Sequence, residues 1–177
     1  MTYLFVPDFR EIKMSGIAAS KRLIYFCGSM RAGRQDVDLY GTLVEKLSRS
    51  SLKTCYFVVI TLPRYGEVLT PFVADKNLTN LASKYEDGDV AIHDRCVERL
   101  RQCHVVVAEV TVASLGVGYE IGRAVAMGKN VLCLYRPQEG QLLSAMIRGM
   151  DNGAGLRVFD YKPEEVDSIF DEFLNSS

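Results

Sequence analysis

Val105-Val-Val-Ala-Glu-Val110 is a nearly continuous apolar run. A run of this kind fits a strand covered on both faces, and such strands belong to parallel sheets flanked by helices. Leu23–Cys27 and Asn130–Tyr135 repeat the pattern, Leu156–Tyr161 reads as the last strand, and Glu67–Thr70 reads as a shorter one. Between them apolar residues return at helical spacing, as Val37, Tyr40, Leu43, Val44 and Leu47, and again as Ile92, Cys96, Leu100 and Cys103. Strands alternating with helices imply a parallel sheet with right-handed crossovers. The expected fold is therefore α/β: a single-domain, Rossmann-like sheet of flavodoxin-like order, with five parallel strands and helices on both faces. In such sheets ligands bind beyond the carboxyl ends of the strands. The loops after Cys27, Val110 and Tyr135 are then expected around one site.

Further elements follow from local signals. Gly118 to Met127 reads as a helix with Gly128 just past its end, and Gln141 to Met150 as another. Pro163, followed by Glu164 and Glu165, opens a closing helix. Asn77 to Asp89 is polar and reads as a loop. Residues 1–21 read as a poorly ordered tail before a folded unit spanning 22–177. The chain has 177 residues, which suits one domain able to bury a large core.

Composition excludes several classes. Lys and Arg total 21 against 22 Asp and Glu, which argues against a surface for polymeric nucleic acid. No run is long enough to span a bilayer, so no membrane partner is expected. The five cysteines, Cys27, Cys55, Cys96, Cys103 and Cys133, are odd in number and lack CxxC spacing. They predict neither a disulfide framework nor a zinc site, and a reducing compartment, cytoplasmic or nuclear, fits best. His93 and His104 lack metal-ligand spacing, and no metal or cofactor is expected.

Three segments carry candidate chemistry. Gly28-Ser-Met-Arg-Ala-Gly-Arg34 follows the first strand and precedes a helix. Its glycines allow backbone N–H groups to approach an anion, and Arg31 and Arg34 can neutralise a phosphate. A plain strand-to-helix turn with solvated arginines fits equally well, since neither GxGxxG nor a Walker pattern is present. In Ser114-Leu-Gly-Val-Gly-Tyr-Glu120, Glu120 is expected in the first helical turn, where the dipole favours an ionised carboxylate. Such a group either offsets the dipole or attacks an anomeric carbon at the mouth of the sheet. Ser144-Ala-Met-Ile-Arg148 puts Ser144 and Arg148 on one helical face, as polar surface or as a phosphate contact.

Taken together, Ile24–Arg34, Val105–Thr111, Ser114–Ala124, Leu132–Pro137 and Leu143–Gly149 resemble the nucleoside 2-deoxyribosyltransferase family, on its hydrolase side. The matching stretches run through most of the chain. The resemblance implies cleavage of the N-glycosidic bond of 2′-deoxynucleoside 5′-monophosphates, giving free base and 2-deoxyribose 5-phosphate. It implies Glu120 as the nucleophile of a covalent glycosyl intermediate and Tyr25 as the residue orienting that nucleophile or the sugar. Gly28, Ser29, Met30, Arg31 and Gly33 match the family's phosphate loop, with Ser114 and Gly116 as further phosphate contacts. Ser144, with Met146 beside it, matches a segment that reaches the site of a neighbouring subunit, so a homodimer is implied. A transferase acting on unphosphorylated nucleosides is a rival, against which Arg31, Ser114 and Ser144 argue.

Two departures from the family stand out. Cys96 falls where the family carries an acid thought to protonate or orient the leaving base. A thiol has a reference pKa of about 8.5 and hydrogen-bonds weakly. Because it shares an apolar face with Ile92 and Leu100, Cys96 reads as a buried inert thiol, and Asp94, about 200° around the helix, is no substitute. A catalytically impaired nucleotide-binding protein is therefore the second reading. The other departure is an extra segment near 52–64, in which Tyr56–Ile60 reads as an added edge strand or an apolar flap.

Overall fold

The structure, a computed structural model, describes residues 21–30, 34–48, 50–55, 58–78 and 88–175, with the backbone alone for 50–55 and 58–63. The strands are β1 (Leu23–Cys27), β2 (Ser50–Cys55), β3 (Val58–Pro63), β4 (Glu67–Val68), β5 (Val105–Glu109), β6 (Asn130–Tyr135) and β7 (Leu156–Asp160). The helices are α1 (Val37–Ser48), α2 (Gly88–Gln102), α3 (Leu115–Ala126), α4 (Ala145–Arg148) and α5 (Val166–Asn175). Five strands form one sheet in the order β4-β1-β5-β6-β7, every neighbouring pair parallel. This is the expected flavodoxin-like α/β arrangement. The chain reverses its direction of winding between β1 and β5, which opens a crevice at their carboxyl ends.

Strand alternation divides the core into two layers. Ile24 and Phe26 of β1, Val105 and Val107 of β5, and Leu132 and Leu134 of β6 pack with Tyr40, Leu43 and Leu47 of α1 and Phe170, Phe173 and Leu174 of α5. Tyr25 and Cys27, Val106 and Ala108, and Val131 and Cys133 face the other way, against Leu100 of α2 and Val117, Ile121 and Ala124 of α3. Side chains of a strand alternate between faces, so a sheet covered on both sides buries all of them. Each residue of β5 is buried, which explains its apolar run.

At the edge, β4 joins β1 by Glu67 N–H to Arg22 O at 2.8 Å and Leu69 N–H to Ile24 O at 2.8 Å. Thr70, fully buried, donates its hydroxyl to Phe26 O at 2.6 Å and accepts from Phe26 N–H at 2.9 Å. The approach is close: a Cβ on Gly66 would lie 2.4 Å from Arg22 O.

Three expectations are corrected. Of the two expectations for the extra segment, an added edge strand of the main sheet is not what residues 58–60 form; Ser50–Cys55 and Val58–Pro63 pair antiparallel as a separate two-stranded hairpin, and residues 56 and 57 lie outside the described residues. Helix α3 begins at Leu115 rather than Gly118, because Ser114 is its N-cap and accepts from Val117 N–H at 3.4 Å. The helix expected over 141–150 is confined to Ala145–Arg148. Leu143, Ile147 and Met150 pack against the α2–α3 layer, while Leu142, ahead of the helix, is 97% exposed. Residues 1–20 of the expected tail, and 79–87 of the expected polar loop, lie outside the described residues.

Candidate active site

Tyr25 is the third residue of β1, and its side chain points into the α2–α3 layer. There its hydroxyl donates to Glu120 Oε1 at 2.6 Å. The strand brings Cys27 to the same face two residues on, and both line one small cleft with Phe26, Gly28, Met30, Phe72, Val73, Cys96 and Glu120. The cleft encloses about 30 Å³ and lies at the crevice where the winding reverses. A Cβ on Gly28 would lie 2.9 Å from Tyr40 Cζ, so only glycine lets the chain leave β1 across that ring.

Glu120 is the sixth residue of α3, in its second turn, which corrects the expectation of a first-turn position. The helix dipole acts mainly on the first turn and does not set the charge of this group. Burial pushes the Glu120 carboxyl above the usual range, while hydrogen bonds from Tyr25 and Cys27 pull it back. Its ionised form is therefore held by two side-chain donors from β1. Burial and the neighbouring Glu120 push the Tyr25 phenol far above its ordinary value, so it keeps its proton and acts as a donor. Burial and Glu120 likewise raise the Cys27 thiol. Within its apolar run Cys27 looks like a core residue, and its place two residues after Tyr25 is the sequence signal that puts both on one face.

Cys96 is not sealed in the core. It is half-buried on α2 and lines the cleft with Glu120 and Tyr25. Burial raises its thiol, and a hydrogen bond with Tyr25 lowers it. Asp94 is exposed and bound to His93 Nδ1 at 2.9 Å, while His93 Nε2 and Tyr119 Oη lie 2.8 Å apart.

The remaining expected residues do not all converge. Ser29 is buried beside Gly28 and Met30. Arg31 and Gly33 lie outside the described residues. Ser114 caps α3 and Gly116 is exposed in its first turn. Ser144 and Met146 do not line the Glu120 cleft; with Ser114 they line a separate groove of about 600 Å³ between α3 and the α4 segment.

A buried polar cluster lies nearby that the sequence reading did not single out. Glu109, fully buried at the end of β5, accepts from the Thr111 hydroxyl, from Thr111 N–H at 3.3 Å and from the Tyr161 hydroxyl at 3.2 Å. Arg136 Nε lies 3.6 Å from Glu109 Oε1, and Arg136 Nη2 donates to Asp36 Oδ2 at 2.7 Å. Burial raises the Glu109 carboxyl, against the pull of Thr111 and Arg136. Among the described residues no three His, Cys, Asp or Glu side chains converge as a metal site.

A flavodoxin-like sheet with a paired Tyr25 and Glu120 at its crevice defines an α/β protein with a carboxylate poised beside a small ligand site. The profile of the nucleoside 2-deoxyribosyltransferase family matches residues 24–167, and the chain belongs to that family. The chain is 47% identical over 164 residues to a 5-hydroxymethyl-dUMP N-hydrolase of Mus musculus, covering 90% of this chain and 86% of that protein. It is 49% identical over 153 residues to a 5-hydroxymethyl-dUMP N-hydrolase of Danio rerio, covering 86% and 96%. Among solved structures, a Clostridium botulinum CMP N-glycosidase superposes with a TM-score of 0.56 at 19% identity, over 85% of this chain and 98% of that one.

Proposed function

We propose that this chain hydrolyses the N-glycosidic bond of 2′-deoxynucleoside 5′-monophosphates, with Glu120 as nucleophile. The carrying observation is the 2.6 Å bond from Tyr25 to a Glu120 carboxyl in a cleft that also takes in Gly28 and Met30. In this reading the ionised Glu120 attacks C1′, and the C1′–N bond breaks with its electron pair going to the base. A water then attacks C1′ and releases 2-deoxyribose 5-phosphate and the carboxylate, its proton balancing the departed base. A sugar without an electron-withdrawing 2′-hydroxyl tolerates positive charge at C1′, so a positioned carboxylate suffices. In this reading the loop after β1, with Met30 lining the cleft and Ser29 buried beside it, grips the phosphate. Relatives named for 5-hydroxymethyl-dUMP make that nucleotide the first substrate to test.

Incubation with 5-hydroxymethyl-dUMP should release free base, and Glu120→Ala should abolish it. Release no faster than that of Glu120→Ala refutes the reading. One observation favours a second reading, of a nucleotide binder with impaired turnover. Cys96 presents to the cleft a thiol whose proton burial retains. General acid help is worth about 10²–10⁴-fold, most of which a weak acid forfeits. In that case the monophosphate raises the melting temperature with little release of base.

We further infer a homodimer in which Ser144 and Met146 of each chain reach the other's site. The support is an apolar groove flanked by Leu115 (97% exposed), Leu142 (97%) and Met146 (78%), more exposed apolar surface than a monomer favours. Sedimentation should give a dimer, and Leu142→Glu with Met146→Glu should give a monomer of the same secondary structure. A wild-type monomer at micromolar concentration overturns this.

A further inference from the structure

We propose that Arg136 is a positioning residue that sets the distance between the phosphate loop and the helix carrying Glu120. The inference rests on the proposed function. Arg136 directly follows β6, at the carboxyl end of the sheet but outside the Glu120 cleft. Its guanidinium reaches two elements on the α1 face of the sheet, the turn ahead of α1 and the end of β5, whose Glu109 shares the face of Val105 and Val107. One contact is Asp36, in the helical turn Arg34–Asp36 that closes the loop begun at Gly28; Arg136 Nη2 donates to it at 2.7 Å. The other is Glu109, 3.6 Å from Nε, at the end of the strand that leads to α3. Arg136 N–H also donates to Thr111 Oγ1 at 2.8 Å, and that hydroxyl donates in turn to Glu109. One residue thus holds the exit of the phosphate loop, the carboxyl end of β5 and the chain that runs on to Ser114 and Glu120.

Glu109 is fully buried, and Asp36 and Arg136 are largely so. Nη2 hydrogen-bonds Asp36 while Nε, 3.6 Å from Glu109, adds an ion pair without a hydrogen bond; an ammonium, a point charge, does not fix the direction of the first while reaching the second. Removal of Arg136 alone strands a buried anion, so a fold-sparing variant replaces both charges. Arg136→Met combined with Glu109→Gln meets that need and leaves Asp36 without its tether.

The test compares wild type, Arg136→Lys and Arg136→Met/Glu109→Gln at matched melting temperature. Calorimetry measures the Kd for 2-deoxyribose 5-phosphate, and steady-state kinetics with 5-hydroxymethyl-dUMP separates KM from kcat. In the double variant Kd and KM should each rise about 10-fold or more while kcat stays within about 3-fold; Arg136→Lys should fall between. Unchanged Kd and KM, or a kcat loss equal to the rise in KM, overturns the positioning role. A wild-type protein that neither binds 2-deoxyribose 5-phosphate nor releases base refutes the proposed function and this role with it. A wild type that does both, with unaltered variants, refutes this role alone.

Discussion

Tyr25→Phe removes one oxygen and leaves the ring in place. Tyr25 is 1% exposed, and its hydroxyl lies 2.6 Å from Glu120 Oε1, the length of an O–H bond to an ionised carboxylate. Hydrogen bonds to charged groups contribute about 1.5–3 kcal/mol net, and burial favours the upper half of that range. About 2–3 kcal/mol corresponds to roughly a 30- to 150-fold loss in kcat/KM at fixed pH. The sign for pH follows from the causes of the Glu120 shift. Burial raises this carboxyl, and the Tyr25 bond opposes the rise. Without the hydroxyl, Glu120 holds its proton to higher pH, and the acid limb of the kcat/KM profile moves to higher pH. The assay is base release from 5-hydroxymethyl-dUMP between about pH 5 and 9, a span that covers ordinary and raised carboxyl values. A thermal melt alongside confirms the fold. A loss below about 3-fold with an unmoved acid limb refutes the claim that Tyr25 sustains the Glu120 charge, since even the weakest such bond predicts more.

Other outcomes follow from the same geometry. Glu120→Gln should abolish turnover yet raise the melting temperature near neutral pH. The folded-state pKa of Glu120 lies above its unfolded value. Its stabilising protonated form is therefore complete below about pH 4 and lost as pH rises through the folded value, so the advantage of Gln should vanish at low pH. Equal melting temperatures at every pH contradict this. Cys96→Asp should raise kcat by about 10²-fold or more if the thiol limits departure of the base, and an unchanged kcat removes that explanation. Gly66→Ala puts a methyl 2.4 Å from Arg22 O. Overpacking of this kind costs about 1–3 kcal/mol, roughly 2–12 °C in melting temperature, and an unshifted melt shows that β4 yields freely.

Much of this architecture is legible in the sequence because burial on both faces leaves long apolar runs. Val105–Glu109 and Asn130–Tyr135 show it directly, and their order along the chain implies the sheet. Legibility fails where a side chain's partner lies far along the chain. Glu109 disappears into an apolar strand when read locally, yet its partners are Arg136 and Tyr161. Cys27 reads as core until Glu120 is brought against it. The start of α3 is obscured by Gly116 and Gly118, poor helix formers that a Ser114 cap overrides. Apolar spacing over 141–150 suggests a helix, and Leu143, Ile147 and Met150 do pack against the core, but Leu142 and Met146 are exposed and only Ala145–Arg148 is helical. The pairing of Tyr25 with Glu120, 95 residues apart, becomes visible only through the resemblance or the fold.

The alternation within β1 has a consequence for what this strand tolerates. Ile24 and Phe26 fill one side of the sheet while Tyr25 and Cys27 serve the other. Inserting or deleting a single residue ahead of Tyr25 would exchange the two sets, driving a phenol and a thiol beneath α1 and turning aliphatic and benzyl groups toward Glu120. Frame-preserving length changes that loops absorb without harm would here erase chemistry and packing in one stroke.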